Sequence, residues 1–440
     1  MAKLQKSQRA LLSVHMLRIV LELFTSTFLV SYILEQSPDN ILGTGLINIG
    51  LFYISWNAVY GILDLVASYL VDKSNRAALL RFGIVFNMLL MVALVFWGEQ
   101  ISHWIVLAGA ICGMSDAFYY SSYLIMKNEL SFKGSFKKYN VSSTVGVNLV
   151  KVVVPVIMGY IIDISTFSTI AIYVIIVAVA QFGLSFLIEP SKPKNSRFEL
   201  KKFINYLKED KFSWNKIKYT YLNSAIAGIK TCYKTVVIVL TIYIFKTNLS
   251  LGIFTSIFSL FTMLVLIAYR KTDKNPKVNK FAIYMIVGFL PVAALIAMLI
   301  HTNNVTLVIM NFTLTVANYF SDYLGSVERD TIIKNLNQYD FVAEHQFVTE
   351  IVQIAGRIVT YSFFIVVGLF ANFTALKIFL CVIIASNPIK FLVMYKQRLI
   401  RKELIARNKK IELHEVDENN HIEVQLETAS AAPKTSDNYL

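Results

Sequence analysis

The chain has 440 residues, 56% hydrophobic and 16% charged, with a mean hydropathy of +0.57; a soluble globular protein carries roughly a quarter charged residues. The apolar residues fall in long blocks, which excludes most soluble classes. The net charge of +14 does not point to nucleic acid, because Lys and Arg cluster in the short gaps between those blocks, the positive-inside pattern of membrane topology.

Twelve spans are predicted, near residues 10–33, 45–69, 78–97, 104–126, 141–162, 167–187, 217–245, 249–269, 281–300, 305–327, 347–370 and 373–394. In lipid every backbone N–H and C=O has to be satisfied within the protein, so each span is a helix. Span 1 carries Arg18 and Glu22 near its centre. A charge at that depth is costly, so both side chains are expected to face a protein interior or a wet cavity. Four residues apart, they share a helix face and can neutralise each other. His15 lies on the same face and reads as an interfacial structural residue. The block is too long for a signal-peptide core and lacks a following cleavage site, so it is expected to stay as the first helix.

Span 2 brings Trp56, Asn57 and, nearer its end, Asp64. Span 4 carries Asp116 with Phe118, Tyr119, Tyr120 and Tyr123, span 5 carries Lys151, and span 7 carries Lys230 and Lys234 one turn apart. Asp322 lies in span 10, and Glu350 and Arg357 share a face of span 11. The connection at 188–216 opens with a Pro-Ser-Lys-Pro linker and continues as a basic amphipathic helix, suited to the membrane surface or to a solvated linker. The domains expected are a six-helix bundle over 1–188, a linker over 189–216, a second six-helix bundle over 217–395, and a tail over 396–440. Residues 412–440 hold seven acidic residues and one lysine, a composition that predicts disorder.

Connections alternate between basic and Lys/Arg-poor, which puts both termini on the cytoplasmic side. Cys112, Cys232 and Cys381 each sit inside an apolar block and give neither a disulfide framework nor a metal spacing. The His residues form no ligand pair, so no metal and no cofactor is expected.

The two sets of six spans suggest an internal repeat. Ser115-Asp116 matches Ser321-Asp322 at an offset of 206, Lys151 matches Arg357 at the same offset, and Arg18 falls near Lys230. Spans 3, 6 and 9 have ionisable residues only at their ends, and Lys377 and Lys390 of span 12 can snorkel. Every third helix is therefore expected to face lipid while the others enclose a polar cavity.

That architecture resembles the major facilitator superfamily of transporters across residues 1–395. The loop after span 2, Ser68-Tyr69-Leu70-Val71-Asp72-Lys73-Ser74-Asn75-Arg76, looks like the family signature, with Ser68 and Asn75 where glycine is usual. The resemblance implies an all-α membrane protein of 12 transmembrane helices in two pseudo-symmetric bundles, of the bacterial type. It also implies a cytoplasmic gate in which Asp72 works with Lys73, Arg76 and the start of span 11, with Asp64 nearby. The fifth-helix signature of drug/proton antiporters is mostly missing; Gly146, Pro155 and Gly159 remain.

A proton-coupled carrier needs a carboxylate whose affinity for protons changes as it moves between environments. Glu22, Asp116, Asp322 and Glu350 are the candidates. Arg18, Trp56, Asn57, Tyr119, Tyr120, Lys151, Lys230 and Arg357 are candidates for the substrate cavity. With Lys234, the mid-depth charges nearly balance, which suits an anionic or zwitterionic substrate with an apolar part.

The function expected is secondary active transport, a proton-coupled exporter (antiporter) of an amphiphilic or anionic small molecule. Proton-coupled uptake of a small anionic or zwitterionic nutrient and a flippase for a lipid-linked headgroup are the alternatives, with a non-transporting sensor behind them. No HExxH, GxSxG or Walker motif supports an enzyme. The partners expected are a small-molecule substrate, the proton and the bilayer, with no nucleic acid. The protein is expected to be a monomer in the bacterial cytoplasmic membrane.

Overall fold

The computed structural model describes residues 5–430 apart from 38–40, 133–135, 166, 191–197, 274–276, 302 and 337–340. Among these, every regular element is helical. Span 1 consists of α1 (Lys6–Leu23), a π-helical turn (Phe24–Phe28) and α2 (Leu29–Glu35). Spans 2 to 6 are α3 (Leu46–Lys73), α4 (Arg76–Trp97), α5 (Ile105–Phe132), α6 (Phe136–Ile164) and α7 (Phe167–Ser185). The linker helix α8 (Leu200–Glu209) precedes span 7, which is α9 (Lys211–Lys230) and α10 (Cys232–Phe245), interrupted at Thr231. Spans 8 to 12 are α11 (Asn248–Asp273), α12 (Lys280–Ile300), α13 (Asn304–Asn335), α14 (Val342–Phe370) and α15 (Phe373–Ser430).

Among the described residues nine of these spans are long and apolar enough by themselves to cross a membrane; α7 and α13 contribute shorter apolar stretches, and α5 completes the predicted twelve. Polar residues at the span ends fix where several helices begin. Asn75, Asn279 and Asn303 each accept a backbone N–H of the first turn that would otherwise be unmet, and Asn303 and Thr306 cap reciprocally.

Burial follows the charge distribution for spans 1, 7 and 9 and not for all: the charge-bearing spans 5 and 11 are 22% and 33% buried, and span 12 is 50% buried. The apolar window of span 1 is 83% buried and that of span 7 is 67%, against 33% for span 9. Phe289, Ile296 and Leu299 of span 9 and Ile172, Ile176 and Val179 of span 6 point outward, placed to meet lipid. Glycine allows close helix contact within each half: a Cβ at Gly113 of span 4 would stand 2.5 Å from the Trp56 carbonyl oxygen of span 2.

Helix α15 continues through 412–430, where composition predicts disorder. An existing helix extends without a new nucleation cost, and Glu, Gln and Leu are good helix formers. The apolar face of α8 does not lie on lipid. Phe203 and Leu207 are buried against Ile217 and Tyr221 of span 7, with Phe341 and Val348 beside them. Protein covers that face and leaves Ile204 as an exposed apolar residue of α8.

Candidate functional site

Spans 1, 2 and 4 build a charge cluster in the first half. Arg18 is buried and forms an ion pair with Asp116, and its other amino nitrogen donates to Ser115 Oγ at 2.9 Å. Ser115 in turn donates to the Gly83 carbonyl of span 3 at 2.8 Å. The second oxygen of Asp116 accepts from Trp56 Nε1 at 2.9 Å. The expected pairing of Arg18 with Glu22 is therefore replaced by one across helices. The planar guanidinium can serve a carboxylate and a hydroxyl together, which two neighbours on one turn do not offer. Glu22 is half-buried and accepts from Tyr120 Oη at 2.7 Å.

Tyr119 is buried beneath Arg18, its ring centroid 5.0 Å from the guanidinium carbon. Tyr119 Oη lies 3.5 Å from His15 Nδ1. His15 stacks on Tyr123 at 4.1 Å, so it is a packed core residue.

Immediately after Glu22 the chain widens into the π-helical turn. Ser26 donates to the Glu22 carbonyl at 2.6 Å, and its hydroxyl accepts from Lys234 of the second half at 2.5 Å. A π turn displaces side chains from the regular helical track and is common at functional sites. Lys234 is exposed although it lies within the crossing portion of span 7, and so it borders space that solvent can enter. Glu22 lies within electrostatic reach of Lys234, Arg18 and Lys151.

From span 11, Arg357 reaches Asn57 Oδ1 at a long 3.4 Å, while Asn57 Nδ2 is tied to the Tyr53 carbonyl at 2.7 Å. Arg357 and Glu350 share a face without pairing: Glu350 accepts from Gln346 Nε2 at 3.1 Å. Tyr53 and Tyr361 stack across the two halves at 4.3 Å, and Tyr361 Oη lies 3.0 Å from Thr235 Oγ1.

The remaining candidates lie elsewhere. Lys230 is buried in the second half, between the rings of Tyr233 and of Phe391 on span 12. Asp64 is buried and accepts from Ser121 at 2.7 Å. Lys73 is exposed and donates to Tyr69 Oη, and the buried Arg76 donates from Nε to the Val71 carbonyl at 3.3 Å. The side chains of Asp72 and Asp322 lie outside the described residues. No cluster of His, Cys, Asp or Glu among the described residues is placed to hold a metal ion.

A second polar cluster, at the end of the bundle away from the termini, was not foreseen. Asp163 at the end of span 5 accepts the backbone N–H groups of Asn248 and Leu249, at 3.0 and 2.9 Å. A residue of the first half thus caps the first helix turn of span 8 in the second. Asn248 also donates to Glu35 at 2.7 Å and accepts from Ser31 at 2.7 Å, so spans 1, 5 and 8 are locked together. Beneath this latch the backbones touch: a Cβ at Gly252 would stand 2.3 Å from the Pro155 carbonyl oxygen, and one at Gly159 2.5 Å from that of Asn248. In the sequence these polar residues are ordinary span ends; only Pro155 and Gly159 in one span hinted at close contact.

The family described as Major Facilitator Superfamily matches residues 16–324. No curated protein sequence matches the chain. Among solved structures, a bacterial homologue of the iron transporter ferroportin in an inward-facing state superposes with a TM-score of 0.66 at 11% identity, over 90% of this chain and 99% of that one. A peptide transporter POT in complex with sulfate gives 0.67 at 12% identity, over 91% and 95%. A POT family transporter in complex with 5-aminolevulinic acid gives 0.62 at 13%, over 90% and 96%. At these identities the likeness is one of fold, and together with the family match, which spans more than half of the sequence, it establishes that the chain belongs to the Major Facilitator Superfamily.

Proposed function

We propose that this protein is a secondary active transporter that exports an amphiphilic or anionic small molecule in exchange for protons. The two halves rock about a central site, with both termini in the cytoplasm of a bacterial cell. The observation that carries this reading is the gathering of Glu22, Lys234 and Arg357 where the halves meet, with Lys234 open to solvent inside a membrane span. Charges held at that depth need a function that repays their desolvation.

The latch at Asp163 and Asn248 supports a conformation closed on the side away from the termini. Opening toward that side breaks four hydrogen bonds and parts Gly252 from Pro155. Proton coupling rests on Glu22. Protonation removes its attraction for Lys234 and Arg18 and so alters how strongly the halves hold each other.

Proteoliposome flux tests this. An imposed proton gradient is expected to drive counterflow of an amphiphilic anion, and Glu22→Gln to leave exchange without coupling. Symport along the gradient would replace export with uptake, and flux indifferent to the gradient would remove proton coupling.

A further inference from the structure

Resting on the carrier reading above, we infer that the second half supplies the substrate's anchor. Lys234 and Arg357 together hold one anionic group, a carboxylate, sulfonate or phosphate, whose aromatic or apolar body lies against Trp56 and Tyr120 of the first half.

The argument begins with how the charges are matched. Arg18 and Asp116 neutralise each other, with Ser115 and Trp56 as further hydrogen-bond partners. Lys234 and Arg357 are treated differently. Among the described residues Lys234 has a neutral hydroxyl, Ser26, as its hydrogen-bond partner and no ion-pair partner. Arg357 has the long contact to Asn57 and, unlike Arg18, no ion-pair partner among the described residues. Glu350, the nearest acid on the same helix, is engaged by Gln346. Two cations inside a membrane protein without a bound carboxylate need a counter-ion, and a cavity that opens to solvent can admit one with the substrate.

The helices that carry the two cations, spans 7 and 11, are tied together beside them. Tyr361 lies one turn beyond Arg357 on span 11 and is bonded to Thr235, which adjoins Lys234 on span 7. Lys151 adds to the positive field at Lys234, and Glu22 is the acid that opposes it. An anion that enters therefore competes with Glu22 for the same lysine. Trp56 and Tyr120 are both half-buried, and each is oriented by a hydrogen bond to an acid, Asp116 and Glu22 respectively. They give the first half a wall of two fixed rings facing the cationic half.

The test titrates the detergent-purified full chain with 2-naphthoate and with 2-naphthylmethylammonium, which share a ring and differ in the sign of the charge, against empty micelles. The naphthoate is expected to bind saturably and the ammonium not to bind. Lys234→Gln and Arg357→Gln should each weaken the anion at least about tenfold, the loss of one charged hydrogen bond. Lys234→Arg should hold within about threefold, and Lys246→Gln, outside the cavity, should change nothing. A readout independent of those variants is alkylation of Ser26→Cys, which naphthoate should slow. Equal binding of both probes, anion binding that survives both glutamine variants, or an unprotected cysteine at position 26 overturns the anchor. Gradient-driven flux that favours the ammonium would keep the carrier and remove the anchor. Intact anion binding without flux of any solute would do the reverse.

Discussion

The two six-helix halves follow one plan and use their charges in opposite ways. In the first half Arg18 and Asp116 are consumed by each other, with Ser115 and Trp56 as further hydrogen-bond partners. In the second half Lys234 and Arg357 reach toward the facing half, one to Ser26 and the other to Asn57. The repeat thus preserves the spans that carry charge without preserving the partnerships. One half is a rigid wall with an internal ion pair; the other presents cations to whatever occupies the space between. That division suits a carrier, because a site anchored in one half and lined by the other is remade each time the halves rock.

The largest test of this contrast is stability. Arg18→Gln leaves the Asp116 carboxylate buried with Trp56 as its remaining partner, and breaking a buried pair costs about 3–5 kcal/mol. Arg18→Gln combined with Asp116→Asn should cost clearly less, because no charge is then stranded, and a double-mutant cycle on thermal unfolding in detergent reads the difference. Lys234→Gln should change stability by no more than about 1 kcal/mol, since the residue is exposed and has no ion-pair partner among the described residues. Equal losses for Arg18→Gln and Lys234→Gln would erase the distinction between the halves.

Glycine substitutions separate contacts within a half from contacts between halves. A Cβ at Gly83 would stand 2.6 Å from the Tyr119 amide nitrogen and 2.8 Å from the Ser115 carbonyl oxygen, all inside the first half. Gly83→Val should therefore destabilise by about 1–3 kcal/mol, the usual cost of overpacking. Gly252→Val meets the Pro155 carbonyl across the interface, and two bodies that move apart can relieve that clash without unfolding. It should keep a melting temperature near wild type and raise the labelling of a cysteine placed at the buried Ser31. If Gly252→Val simply unfolds the protein, spans 5 and 8 belong to one rigid core.

Much of the fold was legible because the membrane enforces simple rules. The order of the twelve spans follows from apolar blocks with basic gaps, whereas the burial of each span does not follow from its charge, since spans 5 and 11 carry charge and are at least as exposed as span 9. The side-chain partnerships were not legible. Spacing along one helix pairs Arg18 with Glu22, whereas a residue 98 positions away offers the better geometry. Lys234 was visible as a charge in need of a partner, but nothing in the sequence brings Ser26 to it. The latch escaped notice because Glu35, Asp163 and Asn248 sit at span ends, where polar residues are ordinary. Amphipathicity leaves the face of α8 open between the membrane surface and a solvated linker, because it says that a surface is covered, and not by what.

The latch gives a smaller effect of the same kind. Asp163→Asn removes the charge that assists two backbone hydrogen bonds, worth about 1 kcal/mol net, or about fivefold in an equilibrium. Labelling of the cysteine at position 31 should rise by about that factor while the melting temperature stays put. No change would mean that the backbone contact at Gly252 holds the interface alone.

The smallest effect lies outside the membrane, where the linker joins the second half. Asp210 accepts the Ser213 backbone N–H at 3.0 Å and so caps α9, the first helix of that half. Hydrogen bonding by Ser213 holds its carboxyl below the usual carboxylate range. A group whose folded pKa is depressed stabilises above its unfolded pKa and loses that contribution as the pH falls through the folded value. Asp210→Ala should therefore cost about 1 kcal/mol at neutral pH, and the gap from wild type should close as the pH drops below about 4. The labelling at position 31 should not respond, since a cap internal to the second half has no part in how the halves meet; a response there would show that the linker helix also sets the balance between conformations.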